Sequence, residues 1–194
     1  MARLNAPDPA TIPEELGEFL AKFPPDELFT MLTHSPSTIQ PFMGLAQALY
    51  TGLTLPARSR ELAILTVAAA TRSEFVAAQH GPISEQAGVH EDTRRLIQNQ
   101  EYTSPVLSEQ DRTIIRFAAA IVTPTPMSDT VFNAARQLLT EREIVELLHL
   151  CGYYWTLSRI CTILRVDLTQ MYANVSVDGF PAGAAAGLSG SRDR

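Results

Sequence analysis

Two residues in the first half of the chain have side chains suited to proton transfer. Glu61 opens an apolar helical stripe, and His80 ends the segment TRSEFVAAQH, where small residues surround it at helical spacing. Histidine changes its charge near neutral pH, and a positioned carboxylate can act as its acid, base or partner. Each also has a structural interpretation: Glu61 as a first-turn acid paired with Arg58, and His80 as a hydrogen-bonded core residue. The sequence therefore marks both as candidates and leaves both interpretations open.

The chain carries no signature of metal, nucleotide or thiol chemistry. No two histidines have the spacing of zinc ligands, and there is no glycine-rich phosphate loop or dinucleotide motif. Cys151 and Cys161 would lie about 15 Å apart along one helix and on different faces, which indicates buried free thiols rather than a disulfide. We therefore predict no cofactor and no metal. The aromatic run 153–155, Tyr-Tyr-Trp, is compatible with a pocket, an interface or the core.

Helices must position these residues, because apolar side chains recur at helical spacing along almost the whole chain and strand-like alternation is scarce. The predicted fold class is all-α. The predicted helices are PEELGEFLAKF from about Pro13, DELFTMLTH, STIQPFMGLAQALYTG closed by Gly52, ARSRELAILTVAAAT after Pro56, EFVAAQH, EDTRRLIQNQ, LSEQDRTIIRFAAAIV, SDTVFNAARQLL and EREIVELLHLCGYYWTLSRICTIL.

Capping signals fix several of the helix starts. Ser73 can cap the helix that carries His80, and Thr140 with Glu143 forms a capping box before the longest helix. The Gly-Pro pair at 81–82 predicts a bend or break, because the proline cannot donate to the carbonyl of Ala78.

One domain is expected from the length. Residues 1–174 are predicted to form a single helical domain, and residues 175–194, AGAAAGLSGSRDR with the residues before it, to be a disordered tail. Residues 60–65 and 142–147 share an Arg-Glu start and an apolar continuation, so two pseudo-repeated helical halves are one interpretation. The same capping and periodicity rules also produce this match by chance.

Composition and charge narrow the classes of partner. The net charge of −6 at pH 7 speaks against nucleic-acid binding, and no basic patch or long apolar run points to a membrane. Since no signal peptide is recognisable at the start, a cytoplasmic location is expected.

The candidate residues lie in segments that resemble a known family. LPARSRELAIL followed by TRSEFVAAQHGPISEQAG is similar to the signature region of the carboxymuconolactone decarboxylase family, whose relatives include the alkylhydroperoxidase D proteins. HSPSTIQPFMGL, LSEQDRTIIRFAAAIV and EIVELLHLCGYYWTLSRI also resemble the longer members, so the similarity covers roughly residues 25 to 168. It implies an alkylhydroperoxidase D-like helical bundle that forms homo-oligomers, trimers or hexamers.

The hydroperoxidase branch of this family combines a glutamate, a Cys-x-x-Cys pair and a histidine. In this chain the glutamate falls on Glu61 and the histidine on His80, whereas the two cysteine positions hold Ser73 and Val76. Both thiols are absent, so the resemblance implies that the chain is not a peroxidase.

The decarboxylase branch carries Glu-Tyr-Glu-Trp-x-x-His, and this chain departs from that motif. Val76 and Ala77 stand where the motif has an acid and a tryptophan. We expect these small apolar residues to enlarge and dry the pocket, in favour of a bulkier and less charged substrate.

The resemblance implies that Glu61 and His80 face one another across two helices as a catalytic pair. The expected function is a cofactor-independent carboxy-lyase acting on a small cyclic lactone or organic acid. Arg58 and Ser73 are the predicted substrate-binding residues, Arg58 for a carboxylate or enolate oxygen and Ser73 through its hydroxyl. Two alternatives stay open: an isomerase, ring-opening or cyclising enzyme that uses the same pair, and a non-catalytic oligomeric binding protein.

Overall fold

The fold is all-α, as predicted. A computed structural model describes residues 2–23 and 25–168, and these residues form helices and connecting loops with no strand among them. After a 3₁₀ turn at Pro9–Thr11 come α1 Glu14–Leu20, α2 Glu27–Leu32, α3 Pro36–Thr51, α4 Ala57–Thr71, α5 Glu74–Gln86, α6 Glu91–Gln98, α7 Glu109–Val122, α8 Asp129–Leu138 and α9 Glu141–Leu164. The predicted tail, 175–194, and the end of the predicted domain lie outside the described residues.

Capping residues start the helices where the sequence predicts. The Ser73 hydroxyl accepts from the backbone N–H of Val76 at the start of α5, at 3.4 Å. Thr140 and Glu143 close a capping box at the start of α9. These bonds satisfy backbone donors that have no partner inside the helix, so the caps stabilise the starts of α5 and α9.

Of the bend or break predicted at residues 81–82, the break does not occur. Helix α5 runs without interruption from Glu74 to Gln86, with Pro82 inside it. Ala78 and Pro82 are both exposed, so water can satisfy the carbonyl of Ala78 that loses its N–H partner. The uninterrupted helix keeps His80 and the residues before it on one rigid element.

Helix α4 is the centre of the bundle. It packs against α5, α6, α7 and α9, and all of its residues from Ser59 to Ala68 are buried. Because neighbours cover it on every side, its sequence is apolar all round rather than along one stripe. Charged groups at Arg60 and Glu61 are therefore placed in the interior of the protein.

The N-terminal helices form a smaller core beside the main one. The side chains of Phe19, Phe23 and Phe29 pack in series, with ring centroids 5.1 and 4.9 Å apart. Ile39 and Met43 of α3 join this cluster. It anchors α3 against the bundle, and the other end of α3 reaches the neighbourhood of His80.

None of the helices in the part of the chain that the structure describes has both the length and the apolar composition needed to cross a membrane.

Candidate active site

Glu61 and His80 meet in the interior of the bundle. Helix α4 supplies Glu61, which is 0% exposed, and α5 supplies His80, which is 5% exposed. The His80 Nδ1 atom lies 2.8 Å from Oε2 of Glu61. The expected meeting of the two side chains is thus observed, while their catalytic role stays a prediction.

The carboxylate decides which imidazole nitrogen carries the proton. A carboxylate oxygen accepts hydrogen bonds, so Nδ1 of His80 is the donor in this contact. In the neutral imidazole, Nε2 is then the atom with the free lone pair. Glu61 therefore orients His80 so that Nε2 can take up or return a proton.

A second charged residue, missed in the sequence, holds the other oxygen of Glu61. The Arg60 Nε atom lies 3.2 Å from Oε1, and Arg60 is only 4% exposed. Its guanidinium carbon stands 4.8 Å from the centre of the Tyr50 ring, and Nη1 donates to the Tyr50 carbonyl at 3.4 Å. Because a buried carboxylate is costly without a compensating charge, Arg60 is what allows Glu61 to lie here.

His80 borders a small, mostly apolar pocket. The centre of a water-sized sphere can occupy about 30 Å³ of it, which is room for about two water molecules. The described residues that line the pocket are Met43, Ala46, Tyr50, Phe75, Val76, Gln79, His80, Tyr153, Tyr154 and Leu157.

The prediction of an enlarged pocket is therefore wrong for this conformation. Val76 does line the pocket, but Ala77 faces a separate cleft between α4, α5 and α6. Phe75 and the tyrosines of α9 fill the volume that small residues on α5 leave.

The aromatic run of α9 divides between the pocket and the outer surface. The Tyr154 ring meets His80 edge-on at 4.9 Å and 89°, and it is also 5.3 Å from Tyr153. The Tyr153 ring stacks on Phe42 of α3 at 4.4 Å. Trp155 is instead 45% exposed. Two of the three aromatic residues thus belong to the candidate site.

Tyr154 lies beside Tyr50 of α3, and both side chains line the pocket of His80. Burial raises the pKa of Tyr154 well above its ordinary value, and the nearby Tyr50 and Glu61 raise it further. Tyr154 therefore keeps its proton at neutral pH and is a hydrogen-bond donor rather than a base.

Gln79 also belongs to the pocket, although the sequence did not mark it as a site residue. It is buried beside His80 and lines the same cavity. Gln79 lies about 100° around α5 from His80, so helical spacing did not indicate that the two share a pocket. Both can border it because the pocket surface is concave.

The two predicted substrate-binding residues lie elsewhere. Arg58 pairs with Asp111 of α7 and not with Glu61. The ion pair is bidentate, and its Nη2 and Oδ2 atoms are 3.0 Å apart. Ser73 caps α5 and borders two clefts outside the His80 pocket. The structure therefore brings neither of them to His80.

Both cysteines are buried free thiols, as predicted. Burial raises the pKa of Cys151 and of Cys161 to about 12, so both stay protonated at neutral pH. Neither lines the pocket of His80. Across residues 2–23 and 25–168, no three His, Cys, Asp or Glu side chains are grouped as metal ligands.

Comparison with known proteins finds similarity in structure. No protein-family model matches the chain, and no curated protein matches it in sequence. An alkylhydroperoxidase AhpD core protein from Ralstonia eutropha, described as peroxidase-related, is 16% identical, with a TM-score of 0.69 over 92% of this chain and 97% of its own. A putative antioxidant defence protein AhpD from Agrobacterium tumefaciens is 24% identical, with a TM-score of 0.65 over 71% of this chain and 94% of its own.

An enzyme also shares the fold. The debrominase Bmp8, solved as a cysteine-to-alanine variant with 2,3,4-tribromopyrrole, is 16% identical, with a TM-score of 0.66 over 97% of this chain and 98% of its own. The resemblance to alkylhydroperoxidase D-like proteins is thus confirmed as a shared all-α fold.

Proposed function

We propose that the protein is a cofactor-independent enzyme that moves a proton on a small cyclic organic substrate. The buried contact between Glu61 and His80 at the edge of a pocket is the observation that carries this proposal. A lone core histidine needs one hydrogen-bond partner, but this one has a fully buried carboxylate that is itself held by Arg60. Such a chain of contacts positions a proton-transfer group.

Decarboxylation of a lactone acid is the specific reaction that we propose first. The bond to the carboxylate breaks, CO₂ leaves, and the electron pair moves into the ring as the lactone carbonyl becomes an enolate. Protonated His80 then donates its Nε2 proton to the ring carbon, and water restores the proton to the imidazole. A positioned acid of this kind accelerates a reaction by about 10²–10⁴-fold.

A second reaction class is favoured by the lining of the pocket. Of the described residues that line it, none is a lysine or an arginine, so a substrate carboxylate would meet no cation other than His80 itself. An uncharged lactone fits such a lining better. Neutral His80 would then take a proton from the carbon beside the carbonyl and return it elsewhere, which isomerises or opens the ring.

The debrominase complex supports the proposal that the substrate is a small cyclic molecule. Its complex shows that a protein with this fold can bind a small ring molecule. No cysteine lines the pocket of the present chain, so we do not extend a thiol-dependent reaction, whether debromination or peroxide reduction, to it.

The pairing of His80 also weighs against a non-catalytic binding protein. An unpaired histidine in apolar surroundings would suit simple ligand binding, whereas His80 is held by Glu61. The narrow pocket must widen to admit a substrate, by movement of the aromatic side chains that fill it.

Two lactones test the proposal directly. We expect the protein to release CO₂ from 2-oxotetrahydrofuran-3-carboxylate, or to exchange the ring C–H of α-acetyl-γ-butyrolactone with D₂O, followed by proton NMR. His80→Ala should slow either reaction by at least about 100-fold. His149→Ala is the matched control, since His149 is exposed on α9 away from the pocket. A folded His80→Ala protein, checked by circular dichroism, with an unchanged rate would sink the proposal.

We further propose that the protein is a homo-oligomer, a trimer or hexamer as the resemblance implies. Helix α9 leaves one apolar face exposed, formed by Val145, Leu148, Trp155 and Ile163, which we call the outer face of α9. These positions recur at helical spacing and are 44–50% exposed. Large apolar side chains left exposed along one face of a helix are typical of protein interfaces.

A further inference from the structure

Two tyrosines from distant parts of the chain converge on the pocket of His80. Tyr50 lies near the end of α3 and Tyr154 lies in the middle of α9, and both line the cavity. Their ring centroids are 6.3 and 4.9 Å from that of His80. The two phenol groups therefore border the same small space as the imidazole.

One requirement of the proposed reaction, stabilisation of the negative charge on oxygen, has not yet been assigned to a residue. Proton removal or CO₂ loss beside a lactone carbonyl puts negative charge on the carbonyl oxygen, and this charge must be stabilised. Arg58 was predicted for that task, but it is paired with Asp111, and Arg60 is directed to Glu61. A hydrogen-bond donor in the pocket itself has to take this place.

We propose that Tyr50 and Tyr154 form a donor pair that binds the enolate oxygen of the substrate. The inference rests on the proposed function and adds two catalytic residues to it. Each phenol carries an O–H group that can donate to that oxygen. Because both side chains line the pocket beside His80, the two donors border the space in which the oxygen would lie.

The surroundings of the pair suit donation rather than proton removal. Burial keeps the proton on Tyr154, whose pKa is raised well above the ordinary value. Arg60 stacks over the Tyr50 ring, with its guanidinium carbon 4.8 Å from the centroid. The positive charge beside Tyr50 makes its hydroxyl a stronger donor to an anion. His80 then transfers the proton at the ring carbon, while the tyrosines stabilise the negative charge on the oxygen.

Binding of an enolate analogue tests the pair independently of turnover. Tetronic acid is a five-membered lactone that is already an enolate at neutral pH, and γ-butyrolactone is the same ring without the negative oxygen. We expect Tyr154→Phe and Tyr50→Phe to weaken tetronate binding by about 10–100-fold, measured by calorimetry, because a charge-assisted hydrogen bond is lost. Affinity for γ-butyrolactone, measured by ligand-observed NMR, should change by less than about twofold.

Tyr102→Phe is the matched control. The Tyr102 hydroxyl is buried without a hydrogen-bond partner and lies outside the pocket, so its removal should leave tetronate binding unchanged. With a substrate that turns over, the two pocket variants should lower kcat by about 10²–10³-fold with little change in KM.

The outcomes separate the two proposals. Absent tetronate binding by the wild type, or equal loss of affinity for both ligands in the variants, would overturn the donor pair and leave Tyr50 and Tyr154 as packing residues. An unchanged kcat in both variants would overturn it as well. Tyrosine-dependent tetronate binding without turnover of either lactone would instead support the pair and contradict the proposed reactions.

Discussion

The two oxygens of the Glu61 carboxylate contact different residues, and these two contacts organise the site. Oε1 contacts Arg60 and Oε2 contacts His80, while the side chain is fully buried. Removing either partner leaves the other contact in place but changes the charge balance of the interior. Arg60 is thus a positioning residue, since it acts on the substrate through Glu61 and His80 and through the ring of Tyr50, and not by direct contact.

Loss of Arg60 should cost far more stability than loss of Arg58. Arg60→Met leaves the charge of Glu61 buried without its cation, for an expected loss of about 3–5 kcal/mol. Arg58→Met is the matched control, because the Arg58 side chain is 35% exposed, so water can replace part of its contact with Asp111 and the expected loss is smaller. Urea denaturation measures both variants.

A double variant sharpens this comparison. If Arg60 acts by compensating Glu61, adding Glu61→Gln to Arg60→Met should recover part of the lost stability, because no buried charge remains. Equal losses for the two arginine variants, or no recovery in the double variant, would contradict the role given to Arg60.

The sequence could predict Glu61 and His80 but not the residues around them. These two were found because they match a spaced motif on consecutive helices, α4 and α5. Arg58 was preferred to Arg60 because it lies one helical turn before Glu61. In the fold, α7 offers Asp111 to Arg58, and the long Arg60 side chain reaches its immediate neighbour instead. Which arginine contacts Glu61 depends on tertiary packing, and the spacing of residues along one helix cannot predict it.

At the scale of elements, α9 holds the start of α4 through Glu146. This carboxylate accepts from the backbone N–H groups of Thr54, at 3.0 and 2.9 Å, and of Leu55, at 2.9 Å. It also accepts from Arg142 Nε at 2.8 Å. The loop that leads into α4 is thereby tied to α9, and α4 in turn carries Glu61.

This contact distinguishes the two similar segments of the chain. Arg60 pairs with the next residue, Glu61, whereas Arg142 pairs with Glu146 and the aligned Glu143 closes a capping box. Both segments begin apolar helices, yet their charged residues make different contacts. The possible duplication therefore stays a prediction, and shared sequence did not predict shared roles.

Glu146 should make stability depend on pH in the acid range. Burial acts to raise its pKa, but hydrogen bonds from Thr54, Leu55 and Arg142 outweigh burial and lower the pKa below 4.5. A lowered folded-state pKa means stabilisation that is full above about pH 4.5 and is lost as pH falls through the lower value. Glu146→Gln should cost about 1.5–3 kcal/mol at pH 7 and progressively less below pH 4.5.

Urea denaturation as a function of pH measures this effect. Glu141→Gln is the matched control, because Glu141 is an exposed residue in the first turn of the same helix. A difference between the wild type and Glu146→Gln that is the same at pH 7 and pH 3 would show that the charge of Glu146 has no part in tying the loop to α9.

At the scale of the whole molecule, the order and limits of the helices were largely predictable, because caps and apolar periodicity are local. The pocket was not, since α3, α5 and α9 build it from residues far apart in sequence. The small residues of α5 suggested a large cavity, but Phe75 of the same helix and the tyrosines of α9 occupy it. Whether a helix face stays exposed also depends on distant parts of the chain, and the outer face of α9 is an example.

Assembly of the protein should depend on the outer face of α9. Replacing Leu148 and Trp155 by glutamate places two charges in the middle of that apolar stripe, where burial against another copy would desolvate them. We expect light scattering after size-exclusion chromatography to give a trimeric or hexameric mass for the wild type and a monomeric mass for this variant. Val106→Glu is the control, since Val106 is 75% exposed in the loop before α7. If the wild type is monomeric at every concentration, or if the variant keeps the oligomeric mass, this face does not join copies of the chain.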